Sequence, residues 1–388
     1  MEQLKYLAIE TINKRASDLS DISRQIWENP ELAYKEFAAH ELLTTFLEKE
    51  GFNVSKKTPL ETSFIARYGN SEGLKIGILC EYDALPGVGH ACGHNLIAEA
   101  GIGAALGIQS VLKSQEEHAI AQLIVYGTPA EEGGGGKAMM IEKGAFDEVG
   151  ICMMCHPCPA EVPIPRCLAL AQLTILFHGK TSHAAAAPWE GINALDAAVA
   201  CYNKLSMLRQ QIKPDARLHA IIVDGGKKPN IITERAEMDV YIRELTEKDA
   251  LLLKKKVQNC AKGAAVATGC EVEMKETEPF YSAVKTNKTL IDLYMNNAKS
   301  LGVVFNELTV LRGSTDMGNV SQIKPSIHPF FKIACESSNH TQAFTTASIQ
   351  PENQQPTLNS AKSMAMTAVD VLCNQKLVAQ IKKDFNNS

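Results

Sequence analysis

The segment Lys75-Ile-Gly-Ile-Leu-Cys80 runs directly into Glu81-Tyr-Asp83-Ala-Leu-Pro86-Gly-Val-Gly-His90-Ala-Cys92-Gly-His94-Asn95, an apolar stretch followed at once by a loop crowded with ionisable side chains. A short apolar run with turn residues after it is the pattern of a strand buried on both faces. Helical apolar spacing follows from Asn95 to Lys113, and two further apolar runs come after it, Gln122-Leu-Ile-Val-Tyr126 and Val149-Gly-Ile-Cys-Met-Met154. Apolar runs alternating with helices predict an α/β fold, a mainly parallel sheet between helices. Ligands of such sheets sit beyond the C-terminal ends of the strands, where each of these runs is followed by polar, chemically capable residues.

Upstream, Leu4 to Trp27 and Glu36 to Glu50 have helical spacing and Gly51 is a natural stop, so two N-terminal helices are expected. Downstream the pattern changes near Cys167. The runs Leu168–Phe177, Leu218–Val223, Arg235–Arg243 and Cys270–Glu276 lean toward alternation, separated by helical stretches at Gly191–Gln211 and Thr246–Thr268. Four strands and two helices predict an inserted α/β domain over residues 167–280, leaving 1–166 and 281–388 as the other domain. In that returning part His328–Ala334 reads as a buried strand and Pro356–Cys373 as a closing helix. A chain of 388 residues is long enough for two cores. The net charge of −5, with no basic stripe, argues against nucleic acid or an anionic membrane as a partner. No apolar stretch is expected to span a bilayer, and Glu2, Lys5, Glu10, Lys14 and Arg15 interrupt any signal-like run, so the expected location is cytoplasmic. Eleven cysteines, an odd number, suit a reducing compartment in which thiols stay free or bind metal.

Three clusters and two isolated histidines carry chemistry. The loop after Cys80 offers two histidines, a cysteine and two carboxylates, a metal-site candidate that, taken alone, is equally a turn with a buried Cys. In Gly127-Thr-Pro-Ala-Glu131-Glu132-Gly-Gly-Gly-Gly136, adjacent carboxylates persist in a buried site only with a cation or a shared proton. One can hold metal while its neighbour takes a proton from water, although a solvated turn also suits two Glu before four Gly. The Gly run lacks the Lys-Ser/Thr of a phosphate cradle. Cys152-Met-Met-Cys155-His156 matches a haem-attachment spacing, but on a buried strand and without an export signal His156 reads better as a ligand and the cysteines as core. His183 in His178-Gly-Lys-Thr-Ser-His183-Ala and His340 in Ser337-Ser-Asn-His340-Thr are lone histidines, informative only in company.

In order, Asp83-Ala-Leu-Pro86, His90-Ala-Cys92-Gly-His94, Glu131-Glu132-Gly, His156, His183-Ala and His340-Thr resemble the aminoacylase and carboxypeptidase type of dinuclear metallopeptidase, over nearly the whole chain. Within it the chain resembles the amidohydrolase branch of hippurate and auxin-conjugate hydrolases. The loop from Glu81 to Asn95 and Gly313-Ser-Thr-Asp-Met-Gly-Asn-Val-Ser321 are most similar to aminoacylase-like dipeptidases that split β-alanyl-lysine. The resemblance implies that Cys92, His94, Glu132, His156 and His340 ligate two divalent metal ions, with Cys92 as the bridge. It implies that Glu131 is the general base, and that Asp83 orients a ligand. His183 would stabilise the oxyanion across a dimer formed by the inserted lid, Asn230 and Arg243 would contact the substrate carboxylate or oxyanion, and Gly313 and Ser314 would frame the carboxylate. Glu81 is assigned no role.

The resulting expectation is a metal-dependent hydrolase, a homodimer, that cleaves dipeptides of the β-alanyl-lysine type at the amide next to a free carboxylate. An N-acyl amino acid amidohydrolase is the alternative enzyme, and a metal-free binding protein on the same fold the non-enzymatic one. Mixed Cys, His and Glu ligation suits Zn²⁺ and is compatible with Mn²⁺, Co²⁺ or Ni²⁺.

Overall fold

A computed structural model describes residues 1–115, 121–305 and 313–387. The chain forms two units, one comprising Met1–Arg166, Val284–Arg312 and Asp316–Ser388, the other Cys167–Ala283 and Gly313–Thr315.

The first unit begins with α1 (Glu2–Lys14), α2 (Ala16–Glu28) and α3 (Phe37–Lys49). Three helices stand where two were expected, because the chain breaks at Arg15. The Arg15 guanidinium is held there in a two-pronged pair with Glu50 and by Asp18. Next come β1 (Asn53–Lys56), β2 (Phe64–Gly69), β3 (Leu74–Cys80), α4 (His94–Ser114), β4 (Ala121–Gly127), α5 (Gly136–Glu142), β5 (Ile151–Met153) and β6 (His156–Cys158). Ile76, Ile78, Leu123 and Val125 of the two central strands are fully buried, each contributing roughly 1.5–3 kcal/mol. Helix α4 is long and apolar enough to cross a bilayer, against the sequence expectation, but it is buried almost all round within this unit. Its small residues make that burial possible: a Cβ on Gly101 would come within 2.5 Å of Cys80 Sγ, and one on Gly107 within 2.9 Å of Ile12 Cδ1.

The second unit contains β7 (Ala169–His178), α6 (Ala194–Leu208), β8 (Arg217–Asp224), β9 (Arg235–Glu244), α7 (Glu247–Thr268) and β10 (Glu271–Lys275). Its sheet has the order β10-β7-β9-β8, antiparallel throughout. One face packs on α6 and α7 through Leu173, Ile175, Phe177, Met238, Val240, Leu205 and Val257. Asn193 caps α6 by accepting from Leu195 and Asp196, and Thr246 caps α7 by accepting from Asp249, with Gly269 at a φ of 77° ending it.

Back in the first unit are α8 (Lys288–Ser300), α9 (Met317–Ile323), β11 (Ser326–Ile327), β12 (Phe330–Lys332), α10 (Gln342–Ala347), α11 (Gln354–Leu372) and α12 (Gln375–Asn387). The six-stranded sheet runs β1-β2-β4-β3-β5-β11. Its β4, β3, β5 and β11 are parallel, while β1 and β2 add an antiparallel edge. Of the strand expected at 328–334 only Phe330–Lys332 forms, as β12 on β6; β11 on β5 precedes it at Ser326–Ile327, and His328-Pro329, where Pro has no N–H to give, separates the two. The helix expected to close the chain, α11, is followed by α12, whose Phe385 carbonyl accepts from Lys285.

Candidate metal centre

Strand β3 ends at Cys80, and the loop behind it is buried from Glu81 to Ala84. It carries Asp83, and after the tight turn at Pro86–Gly89 the chain returns with Cys92 and starts α4 at His94. Gly93 sets that start: its φ is 78°, and a Cβ there would lie 2.6 Å from Pro157 Cγ. His94 Nδ1 donates to Asp83 Oδ1 at 2.9 Å, which in the neutral ring leaves Nε2 as a lone pair. That Nε2 is buried with no hydrogen-bond partner among the described residues. His156, at the start of β6, repeats the device, its Nδ1 donating to the Pro157 carbonyl at 2.8 Å and its Nε2 facing Cys92 Sγ at 3.4 Å. Such partners on the far nitrogen fix tautomer and aim in metal-binding histidines.

The second wall is the turn after β4. Ala130 takes a φ of 58°, and its N–H donates to Glu36 Oε1 at 2.9 Å, while the Glu132 N–H donates to Asp83 Oδ2 at 2.9 Å. Both carboxylates thereby turn inward. His340, a non-glycine residue at a φ of 68°, closes the set with its Nε2 3.4 Å from Glu132 Oε2. The ligand atoms of Cys92, His94 and His156 lie within 4.8 Å of one another, as do those of Cys92, Glu132 and His340, and those of His94, Glu131 and Glu132. The first two triads share the Cys92 sulfur.

Electrostatics follow from burial. Burial drives Glu131 well above the ordinary carboxylate range, and Glu81 and Glu132 push the same way. Burial would raise Glu132 too, but the His340 hydrogen bond and His94 outweigh it and hold that carboxylate low. Cys92 is pushed far up by burial, with Glu132 adding to it, and burial lowers His156 to about 4, its neutral, metal-binding form. For His94 burial is outweighed by Asp83 and the Cys92 sulfur, which hold the ring well above its usual range.

The donor set fits a metal pair. Glu81, Asp83, Glu131 and Asp316 are buried and Glu132 is nearly so, and Lys137 pairs with two of them, Glu81 and Asp316. Buried unpaired charge costs several kcal/mol per ion, a deficit that two divalent cations would fill. Thiolate, imidazole and carboxylate donors are those of Zn²⁺ and neighbouring metals.

All five expected ligands thus converge, with Glu131 and Asp83, in the first unit. The other expected residues lie in the second unit as two groups. His183 bridges Ile231, and the N–H of Ala184 donates to the Asn230 carbonyl at 3.1 Å. His183 Nδ1 accepts from the N–H groups of Ala185 and Ala186 at 3.2 Å, so its proton sits on the exposed Nε2. Arg243 Nη1 donates to Ser314 Oγ at 2.8 Å, and the Gly313 carbonyl accepts from Leu168 at 2.7 Å. Sequence reasoning passed over Glu36, which holds the Glu131 turn, and Glu81, Lys137 and Asp316. Asp316 does not act with Gly313–Thr315 but turns into the first unit against Lys137. The lysine directly behind the Gly run was the available signal, since a lysine entering a buried helix needs a buried anion.

The sequence profile of a peptidase dimerisation domain matches residues 168–268. Xaa-Arg dipeptidase of Mus musculus is 45% identical over 399 residues, covering 99% of this chain and 93% of that protein. A p-aminobenzoyl-glutamate hydrolase component of Escherichia coli (strain K12) is 34% identical over 303 residues, 73% of this chain and 62% of that one. Among solved structures, the YXEP protein of Bacillus subtilis, a dinuclear metal-binding peptidase of the M20 family, superposes with a TM-score of 0.71 at 21% identity over 93% of this chain and 99% of that one.

Proposed function

The chain belongs to the M20 peptidase family as a metal-dependent dipeptidase, and from that premise we propose that it cleaves dipeptides with a basic C-terminal residue and a free carboxylate, of the β-alanyl-lysine and Xaa-Arg kind, using two zinc ions and Glu131 as general base. The observation that carries this reading is the pair of ligand triads sharing Cys92, with Glu131 beside them. The basic residue is supported by the loop Glu81–Asn95 and by the Xaa-Arg dipeptidase relative.

When bound, the ions supply Lewis acidity to a water and to the scissile carbonyl. Glu131, made basic by burial and by Glu81 and Glu132, takes the proton from water and returns it to the leaving amine nitrogen. Asp83 holds the His94 ring with one oxygen and the Glu132 backbone with the other. His183 donates from Nε2 to the oxyanion, in the partner protomer's site as in the dimeric proteins it resembles. The Arg243 guanidinium, fixed by Ser314, takes the substrate carboxylate with Asn230 and the Gly313 backbone. Dimers form through the second unit, whose edge strand β8 exposes Ile221 and Val223.

The 34% identity to the p-aminobenzoyl-glutamate hydrolase component favours a second reading, an N-acyl amino acid as substrate. The test is the rate on β-alanyl-lysine, an Xaa-Arg dipeptide and p-aminobenzoyl-glutamate, with metal counted, in wild type and Glu131→Gln. Two ions in both proteins, a loss of roughly 10²–10⁴-fold in the variant, and preference for the basic dipeptides are expected. Faster cleavage of p-aminobenzoyl-glutamate would install the second reading, and full activity of Glu131→Gln would remove that residue as base.

A further inference from the structure

Glu81, the first residue past β3, is completely buried, yet its two oxygens have different surroundings. Oε1 lies 2.5 Å from Lys137 Nζ. Lys137 is itself clasped by Asp316, which accepts the ammonium at 2.7 Å through Oδ1 and the Lys137 backbone N–H at 2.8 Å through Oδ2. Oε2 has no hydrogen-bond partner among the described residues, and the nitrogen it faces, His94 Nε2 at 3.4 Å, has none either. With Nδ1 turned to Asp83, His94 Nε2 and Glu81 Oε2 are both aimed into the space between them, and both side chains are fully buried. A buried carboxylate oxygen and an imidazole nitrogen so placed are stabilised when a positive charge lies between them, a role a metal ion can fill. Metal–nitrogen and metal–oxygen bonds of about 2.0–2.2 Å in a tetrahedral shell separate their donor atoms by about 3.4 Å.

The rival carboxylates are farther from the same nitrogen, Glu132 at 3.8 Å and Glu131 at 3.9 Å. Nor is the acidic trio Glu81, Glu131 and Asp316 a separate third metal site, although its oxygens are close enough. The Lys137 ammonium already pairs with two of its three members. The lysine instead uses up one oxygen of Glu81 and leaves the other aimed at the His94 side.

The geometry points to Glu81 as a sixth protein ligand of the metal pair, binding through Oε2 the ion that His94 holds, with Lys137 and Asp316 as positioning residues that fix which oxygen is offered. This rests on the dinuclear reading above. It departs from the sequence expectation, in which five residues complete the site.

The test uses the full chain loaded with Co²⁺ and, in crystals, with Zn²⁺. In the cobalt protein, Glu81→Gln is expected to change the visible absorption band and to weaken retention of one ion at least tenfold in a chelator competition, leaving the other ion unmoved. Lys137→Gln is expected to shift the same band with both ions still bound. Two ions in Glu81→Gln with wild-type affinity and spectrum would overturn the assignment while leaving the dinuclear reading intact. A wild type that takes up no metal would overturn both. If the buried substitutions prevent folding, the zinc-loaded wild-type crystal decides. Glu81 Oε2 about 2.0–2.2 Å from an ion supports the assignment, and a separation beyond about 3 Å overturns it.

Discussion

Asp83 divides its two oxygens between a ring and a backbone, His94 Nδ1 and the Glu132 N–H, and so sets the aim of two expected ligands at once. Asp83→Asn puts an amide N–H where one of these donors points. We expect metal affinity to fall about 10–100-fold, read by chelator competition, with the fold retained by circular dichroism. Glu36 is a different case. Burial, with Asp83 adding to it, raises its carboxyl from 4.5 to about 7. A carboxyl raised on folding contributes stability that is full below the unfolded value of 4.5 and is lost as the pH climbs to the folded value near 7. Glu36→Gln keeps an acceptor for the Tyr34 and Ala130 N–H groups and cannot ionise. Between pH 4.5 and 7 wild type should therefore lose roughly 3 kcal/mol relative to the variant, a difference that urea unfolding at pH 5 and pH 7.5 measures. An unchanged gap would show that Glu36 stays ionised. Cys92, His94, Glu131 and His156 were legible because ligand-type residues stood directly behind apolar runs. Lys137 and Asp316 were not, because a lone lysine and a lone aspartate 179 positions apart are marked only by the fold that pairs them.

At the level of elements, the second unit was read closely: all four strands and both helices stand within a few residues of expectation, because alternation and helical spacing are strong there and capping residues mark the helix ends. The first unit was harder. Among the described residues β1 pairs with β2 and β2 with β4, and their sequences carry no long apolar run. At the helix break Arg15 pairs with Glu50, 35 residues away. Helix α4 joins sheet to site, and its placement hinges on Gly93. Gly93→Ala combines a left-handed φ with contact on Pro157, so we expect a loss of roughly 1–3 kcal/mol. Because His94 moves with the helix start, weaker metal binding should accompany it. Thermal melts with and without Zn²⁺ would show a smaller metal-induced shift than in wild type.

For the whole molecule, the expected ligands all belong to the first unit, so metal removal should act on one core. With free Zn²⁺ about a thousandfold above the dissociation constant, binding adds about 4 kcal/mol, or roughly 10 °C for a unit of this size. Calorimetry should therefore show a chelator lowering one transition and sparing the other, whereas equal shifts in both would mean the units unfold together. The dimer proposed through β8 is tested by Ile221→Lys, a charge placed on a side chain 62% exposed in the protomer. Sedimentation should then show a monomer that still binds two metals yet has lost activity, since His183 would no longer reach a partner site. A fully active monomer would show that His183 acts within its own chain or not at all.

The sequence by itself determined the α/β class, the inserted unit of four strands and two helices, and the seven first-unit residues now seen together, because hydrophobic period and ligand chemistry are local properties written in short segments. Only the tertiary structure decided that Glu81 lies beside His94, that Lys137 is the cation paired with it, and that Glu36 braces the Glu131 turn. Those roles come from burial and from charge partners far apart in the chain, and a side chain's charge acquires its cost and its purpose only once folding has removed the water around it.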